Sequence, residues 1–113
     1  HQGTGMGLPG QFPPLAGSEW VLAEKPDRII RIVLNGLQGP IEVKGQPYNG
    51  AMFAFKDMPL TDDDIANALS YIRASWGNKA PIVKADQVKA IRAEVKSRPG
   101  PWSSAELLSI PID

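Results

Sequence analysis

The sequence predicts a mainly α-helical domain with long ordered loops. Two segments, 26–36 and 61–76, repeat apolar residues at helical spacing between recognisable start and stop residues. Only Ile41 and Val43 alternate with polar neighbours as a strand would. Eleven Gly and eleven Pro in 113 residues give a combined share well above the roughly 12% of average usage. In a domain this small, so much loop points to something wrapped, and a cofactor is the natural candidate.

Residues 1–17 read as irregular chain. Gly5, Gly7 and Gly10 match G-x-G-x-x-G, but no strand precedes them and Pro9 does not fit the helix a dinucleotide fold would start there. Ser18 caps a short helix through Trp20 and Val21. The next helix starts at Pro26, suited to a first turn, with Asp27 at the positive end of its dipole. Ile29, Ile30, Val33 and Leu34 share a face, Arg28 and Arg31 point outward, and Gly36 closes the helix.

From Leu37 to Tyr48 the expectation is a loop, a short extended piece and a turn at Gly45-Gln46-Pro47, at most a small hairpin. Tyr48-Asn49-Gly50-Ala51-Met52-Phe53 then reads as a loop leading to the clearest helix, Thr61 to Trp76. Thr61 is its N-cap, Asp62, Asp63 and Asp64 load its first turn, and Gly77 stops it. Ile65, Leu69, Ile72 and Trp76 form the buried stripe, with Ala68 leaving room for close approach. The aspartates lack EF-hand spacing, so capping accounts for them better than calcium. Ala80-Pro81-Ile82-Val83 is extended. A helix near Asp86 to Lys96 carries Val88, Ile91 and Val95, Gly100-Pro101 breaks the chain, and Ser103 or Ser104 caps a last turn with Leu107 and Leu108.

Composition narrows the function. Zero net charge gives no polyanion-binding surface, so no nucleic acid is expected as partner. No apolar run approaches the roughly 20 residues that span a bilayer, so no membrane span is expected within the chain, and no signal peptide is read. Without cysteine there is no disulfide framework or thiolate site. One His and three Met exclude a zinc site of several His or Cys, and His1 would be a poor base for a catalytic triad. Carboxylate acid/base catalysis remains possible in principle, but the acids sit at helix starts or exposed faces, without a pattern that raises a pKa, which argues against an enzyme. Were the side chains of His1 and Met52 to meet, they would do so on opposite faces of a haem iron, since a His/Met axial pair is a standard way to hold an electron-transfer haem.

Several blocks then carry a resemblance: His1-Gln2; Phe12-Pro13-Pro14-Leu15-Ala16-Gly17-Ser18; Gly36-Leu37-Gln38-Gly39-Pro40-Ile41; Tyr48-Asn49-Gly50-Ala51-Met52; Leu60-Thr61-Asp62-Asp63-Asp64-Ile65-Ala66; and Tyr71-Ile72-Arg73-Ala74-Ser75-Trp76-Gly77-Asn78. In this order and spacing the chain resembles the class I c-type cytochromes, especially bacterial monohaem domains serving periplasmic dehydrogenases or terminal oxidases. The resemblance implies a cytochrome c-like fold with a C-terminal helical extension. Residues 1–78 would form the haem domain, and 79–113 an extension packed on it. The family's Cys-x-x-Cys and first helix are expected before His1.

The resemblance also implies the site: one haem c per chain, with His1 and Met52 as axial ligands of the iron. Pro13 matches the proline whose carbonyl takes the proton of the ligand imidazole. Ile41 and Leu69 are expected to contact the haem, and Tyr48 and Asn49 either donate to its propionates or only shape the loop. Trp20 and Trp76 are read as packing residues first. In the family the Met is commonly followed by Pro; here Phe53 follows Met52, while Met58 precedes Pro59. Met58 sits close to the Thr61 cap and reads as core packing or a helix-entry staple, so Met52 is preferred. The implied function is one-electron transfer between a dehydrogenase or other cytochrome and an acceptor such as an oxidase, in the periplasm or otherwise outside the cytoplasm. The rival reading is a haem-free helical interaction module that keeps the fold. A weaker third is a haem enzyme or gas sensor in which Met52 is replaceable.

Overall fold

A computed structural model of the chain describes residues 4–8, 12–52, 54–56 and 58–112; the expectations placed on His1, Pro9, Gly10 and Phe53 fall outside these. Among the described residues five helices and one hairpin follow in the order α1 (Glu19–Leu22), α2 (Asp27–Asn35), β1 (Leu37–Val43), β2 (Gln46–Met52), α3 (Asp62–Ala74), α4 (Ala85–Glu94) and α5 (Ser104–Leu108).

Local chemistry sets most of these boundaries. The Ser18 hydroxyl accepts from the Trp20 N–H and starts α1. Gly36 ends α2 at φ 84°. Thr61 and Asp64 form a reciprocal capping box on α3, with bonds of 3.0 and 3.1 Å. Ser103 and Glu106 form a second box on α5.

The hairpin differs from the sequence expectation. Lys44 (φ 52°) and Gly45 (φ 77°) make the turn, one residue earlier than Gly45-Gln46-Pro47 suggested, and β2 continues through Met52. Two positive φ values fit the twist of a two-residue hairpin turn. The stretch Tyr48 to Met52, read as a loop, is therefore a strand. Its pattern of Pro, Asn and Gly hid it, because it is an edge strand whose outer face is solvated.

One apolar cluster joins α2, the hairpin, α3 and α4 with Leu107 of α5, and Ile30, Leu34, Val88 and Leu107 are fully buried in it. Arg92 of α4 pairs with Asp62 at 2.8 Å. The Ser70 hydroxyl exchanges two bonds with the backbone of Val83. Trp102 pairs with β1 on the edge away from β2, its N–H donating to Gly36 and its carbonyl accepting from Gln38.

Several side chains lie elsewhere than expected. Arg31 is buried, because Glu94 pairs with it at 2.6 Å and Trp102 packs over it. Ala68 faces solvent, while Ala66 takes the close-packed position. Trp76 lies past the end of α3 at φ 53°, where helical spacing no longer places it on the buried stripe. Met58 is 49% exposed and does not enter the core, and Leu108 is exposed beside the buried Leu107.

The clasp at the C-terminal side gives a pH-dependent prediction. Arg98 grips both carboxylate oxygens of Glu106 at 2.9 and 3.0 Å, and this bond, followed by the Ser103 N–H, holds the Glu106 carboxyl down at about 2 from its ordinary 4.5. A pKa lowered in the folded state adds stability above the unfolded value and loses it as pH falls from about 4.5 toward 2. Glu106→Gln is expected to be less stable than the parent at pH 6, with the difference closing by about pH 2 in denaturant titrations.

Candidate haem site

The hairpin presents alternate residues to one side, and those residues form a wall. Register pairs Leu37 with Met52, Gly39 with Gly50 and Ile41 with Tyr48, and all six line a cavity of about 420 Å³. Trp20 and Val21 of α1, Ile29, Ile32 and Val33 of α2, and Leu69 and Ile72 of α3 line it as well. Phe12, Pro13, Pro14 and Leu15 contribute an irregular stretch, and Phe55 is tied to the Val33 carbonyl by its N–H. The size lies within the range of small-molecule sites. Among the described lining residues the Tyr48 phenol is the single ionisable group.

Two features suit this cavity to a large flat ring. Gly39 and Gly50 face each other across the strands, and a Cβ added at either meets nothing within 4 Å, so the middle of the wall is left bare. Around it the surfaces are apolar, which favours an apolar macrocycle and disfavours water. Of the methionines, Met6 is 61% exposed and Met58 49% exposed, whereas Met52 is half-buried and turned to the cavity. A thioether donor thus stands in the wall, and among the described lining residues no carboxylate competes with it.

The sequence-level candidates separate cleanly. Pro13, Ile41, Tyr48, Leu69 and Met52 come together on this cavity. Asn49 lies on the outer face of β2, opposite Pro40, and is exposed. His1 lies outside the described residues. Trp20 is buried and lines the cavity, its indole N–H donating 2.8 Å to the Glu42 carbonyl.

The glycines set aside as a dinucleotide motif have a structural use here. Gly5 is buried at φ 71°, and its carbonyl accepts from the N–H groups of Leu15 and Ala16. A Cβ there would overlap the Trp76 indole, with further ring carbons 2.6 and 2.7 Å away. Gly7, at φ 73°, lies equally close to the Phe12 and Pro13 backbone. Gly5→Ala is expected to cost about 2–4 kcal/mol, combining left-handed strain with overpacking, and to lower Tm by about 10–20 °C in thermal melts.

Two polar residues that sequence reasoning passed over hold the site's frame. Asn78 is 5% exposed; its Oδ1 accepts from the Gly17 N–H at 2.8 Å, and its Nδ2 donates to the carbonyls of Leu15 and Ile72. Arg73 is 1% exposed and donates to the carbonyls of Pro81, Val21 and Ala23 at 2.8–2.9 Å and of Glu24 at 3.4 Å. A signal for Arg73 was present. It follows Ile65 and Leu69 at successive intervals of four, on the buried stripe of α3.

A mainly helical shell with one hairpin, closed around an apolar cavity with a thioether in its wall, defines a holder of a flat metal-bearing cofactor. The chain belongs to the cytochrome c family, whose model, "Cytochrome c", matches residues 1–76. It is 43% identical over 102 residues to cytochrome c-552 of Thermus thermophilus, covering 83% of this chain and 76% of that one. It is 32% identical over 91 residues to the cytochrome c subunit of the quinone alcohol dehydrogenase of Gluconacetobacter polyoxogenes, covering 79% of this chain and 19% of the subunit. A fructose dehydrogenase cytochrome subunit from Gluconobacter japonicus is 32% identical over 104 residues, covering 88% of this chain and 21% of its own. The chain thus spans about a fifth of those dehydrogenase subunits. Its cofactor is haem c and its role electron transfer; a cytochrome c domain is a carrier and not itself an enzyme.

Proposed function

We propose that this chain carries single electrons on a haem c ligated by His1 and Met52, between a dehydrogenase or another cytochrome and an acceptor, outside the cytoplasm. The observation that carries the ligand assignment is that Met52, unlike Met6 and Met58, stands half-buried in the wall of the apolar cavity. When bound, the haem supplies an iron couple that cycles by one electron. The residues of the chain do the rest. Met52 offers the thioether, which favours a high potential; Pro13 offers a carbonyl to the His1 imidazole; Ile41, Leu69 and the bare glycine pair give the ring an apolar seat. Tyr48 offers a phenol at the rim, and Asn49 faces solvent beside it, suiting it to the turn or to a propionate rather than to the ring face.

Residues 1–78 are proposed as the haem domain proper and 79–113 as an extension that braces it. Donation by a dehydrogenase is supported by the names of the two dehydrogenase subunits that this chain resembles. Zero net charge suits a small, transient contact that long-range steering does not dominate. Among the described residues no helix is long and apolar enough to cross a membrane.

Carbon monoxide tests the proposal. With both axial positions filled, the reduced holoprotein is expected to leave carbon monoxide unbound on rapid mixing. Fast binding would show an open position and favour a sensor or enzyme role instead.

A further inference from the structure

We infer that Arg73 is a fixed positive charge built beside the cofactor cavity, and that it raises the reduction potential of the haem held there. This rests on the reading that haem c occupies the cavity. The guanidinium is 1% exposed and all its hydrogen bonds go to backbone carbonyls. Among the described residues no carboxylate pairs with it, whereas Arg31, Arg92 and Arg98 pair with Glu94, Asp62 and Glu106. Arg28 also lacks a carboxylate, but it is only half-buried and bonds to the exposed C-terminal chain. Burial lowers the Arg73 pKa, yet a guanidinium starts so high that it keeps its charge at neutral pH.

Position gives this charge its consequence. Arg73 follows Leu69 and Ile72 on α3, and both line the cavity. Its Nη1 donates to the carbonyl of Val21, a residue that lines the cavity too, so a single residue links guanidinium and cofactor space. Oxidation of the iron adds one positive charge. A buried cation nearby opposes that addition, and neither solvent nor salt screens it as they would a surface charge. The four carbonyl dipoles hold the guanidinium in place without cancelling its net charge.

The test compares midpoint potentials of the holoprotein with Arg73→Met and Arg73→Lys, each confirmed by spectrum to keep its methionine-ligated iron. Measurements are made below neutral pH, where a carbonyl-caged ammonium keeps its proton. Arg73→Met is expected to shift the oxidised-to-reduced equilibrium by about tenfold toward the oxidised form, a fall of 59 mV for a one-electron couple. Arg73→Lys is expected to stay within about threefold of the parent, although it is less stable. An unchanged potential in Arg73→Met overturns the inference. So does a fall of about 59 mV or more in Arg73→Lys, which keeps the charge and would assign the effect to packing; read against the parent, that measurement decides alone if Arg73→Met does not fold. A parent protein without a methionine-ligated haem spectrum would instead overturn the ligand assignment, a separate outcome.

Discussion

Met52→Ala is expected to lower the midpoint potential by more than about 100 mV and to let carbon monoxide bind the reduced form, while Met58→Ala changes neither. The scale follows from the roughly 0.8 V over which axial ligands move haem potentials. The contrast between the two methionines follows from place: Met52 stands in the cavity wall, and Met58 is exposed on the segment before α3. Overall stability should fall less than for an ordinary core truncation, since Met52 is only half-buried. Redox titration and gas binding on the two variants check this together. An effect confined to Met58→Ala would move the ligand to that methionine, and equal effects in both would contradict the assignment to Met52.

Arg73→Met is expected to destabilise the fold by about 3 kcal/mol or more. Each hydrogen bond to a charged group is worth about 1.5–3 kcal/mol, and three of the four here are short. Methionine would leave these carbonyls without their donor, while relief of the buried charge offsets part of the loss. The expected fall in Tm is about 12–20 °C. Arg73→Lys should recover only part of it, because an ammonium cannot reproduce a planar fork reaching carbonyls at both residues 21–24 and residue 81. Thermal and denaturant unfolding of both variants give the comparison.

How much of this was legible beforehand depended on whether a residue's task was local or distant. Ser18, Gly36 and Thr61 act within a few residues of themselves, so the sequence alone marks each as a start or stop, and it narrows the last cap to Ser103 or Ser104, of which Ser103 is the one used. Arg73 and Asn78 act across 50 and 61 residues, on carbonyls and N–H groups that no local pattern marks. The hairpin lay between these cases. Ile41 and Val43 announced β1, but β2 carries Pro47, Asn49 and Gly50, and its pairing partner rather than its composition makes it a strand. Gly5 and Gly7 matched a motif whose chemistry is absent; close approach to Trp76 and to the Phe12–Pro13 backbone is what their positions require.

The candidate site followed the same division. Met52, Pro13, Ile41 and Tyr48 lie in blocks that follow family order, Leu69 lies on the helical stripe between two such blocks, and the fold brings all five to one cavity. The bare glycine pair at its centre was not singled out, because Gly39 and Gly50 are opposite only once the strands pair. Arg31 was read as outward on periodicity alone, yet Glu94 and Trp102, more than sixty residues later, cover it. Periodicity reports the face a helix offers, and partners from distant sequence decide how much of the rest is also covered.

The far-red absorption band that a methionine thioether gives to oxidised haem iron tests the central claim most directly. The account predicts this band in the oxidised holoprotein, unchanged in Met58→Ala and lost in Met52→Ala. A holoprotein without the band, or one that keeps it when Met52 is removed, would contradict the pairing of His1 and Met52.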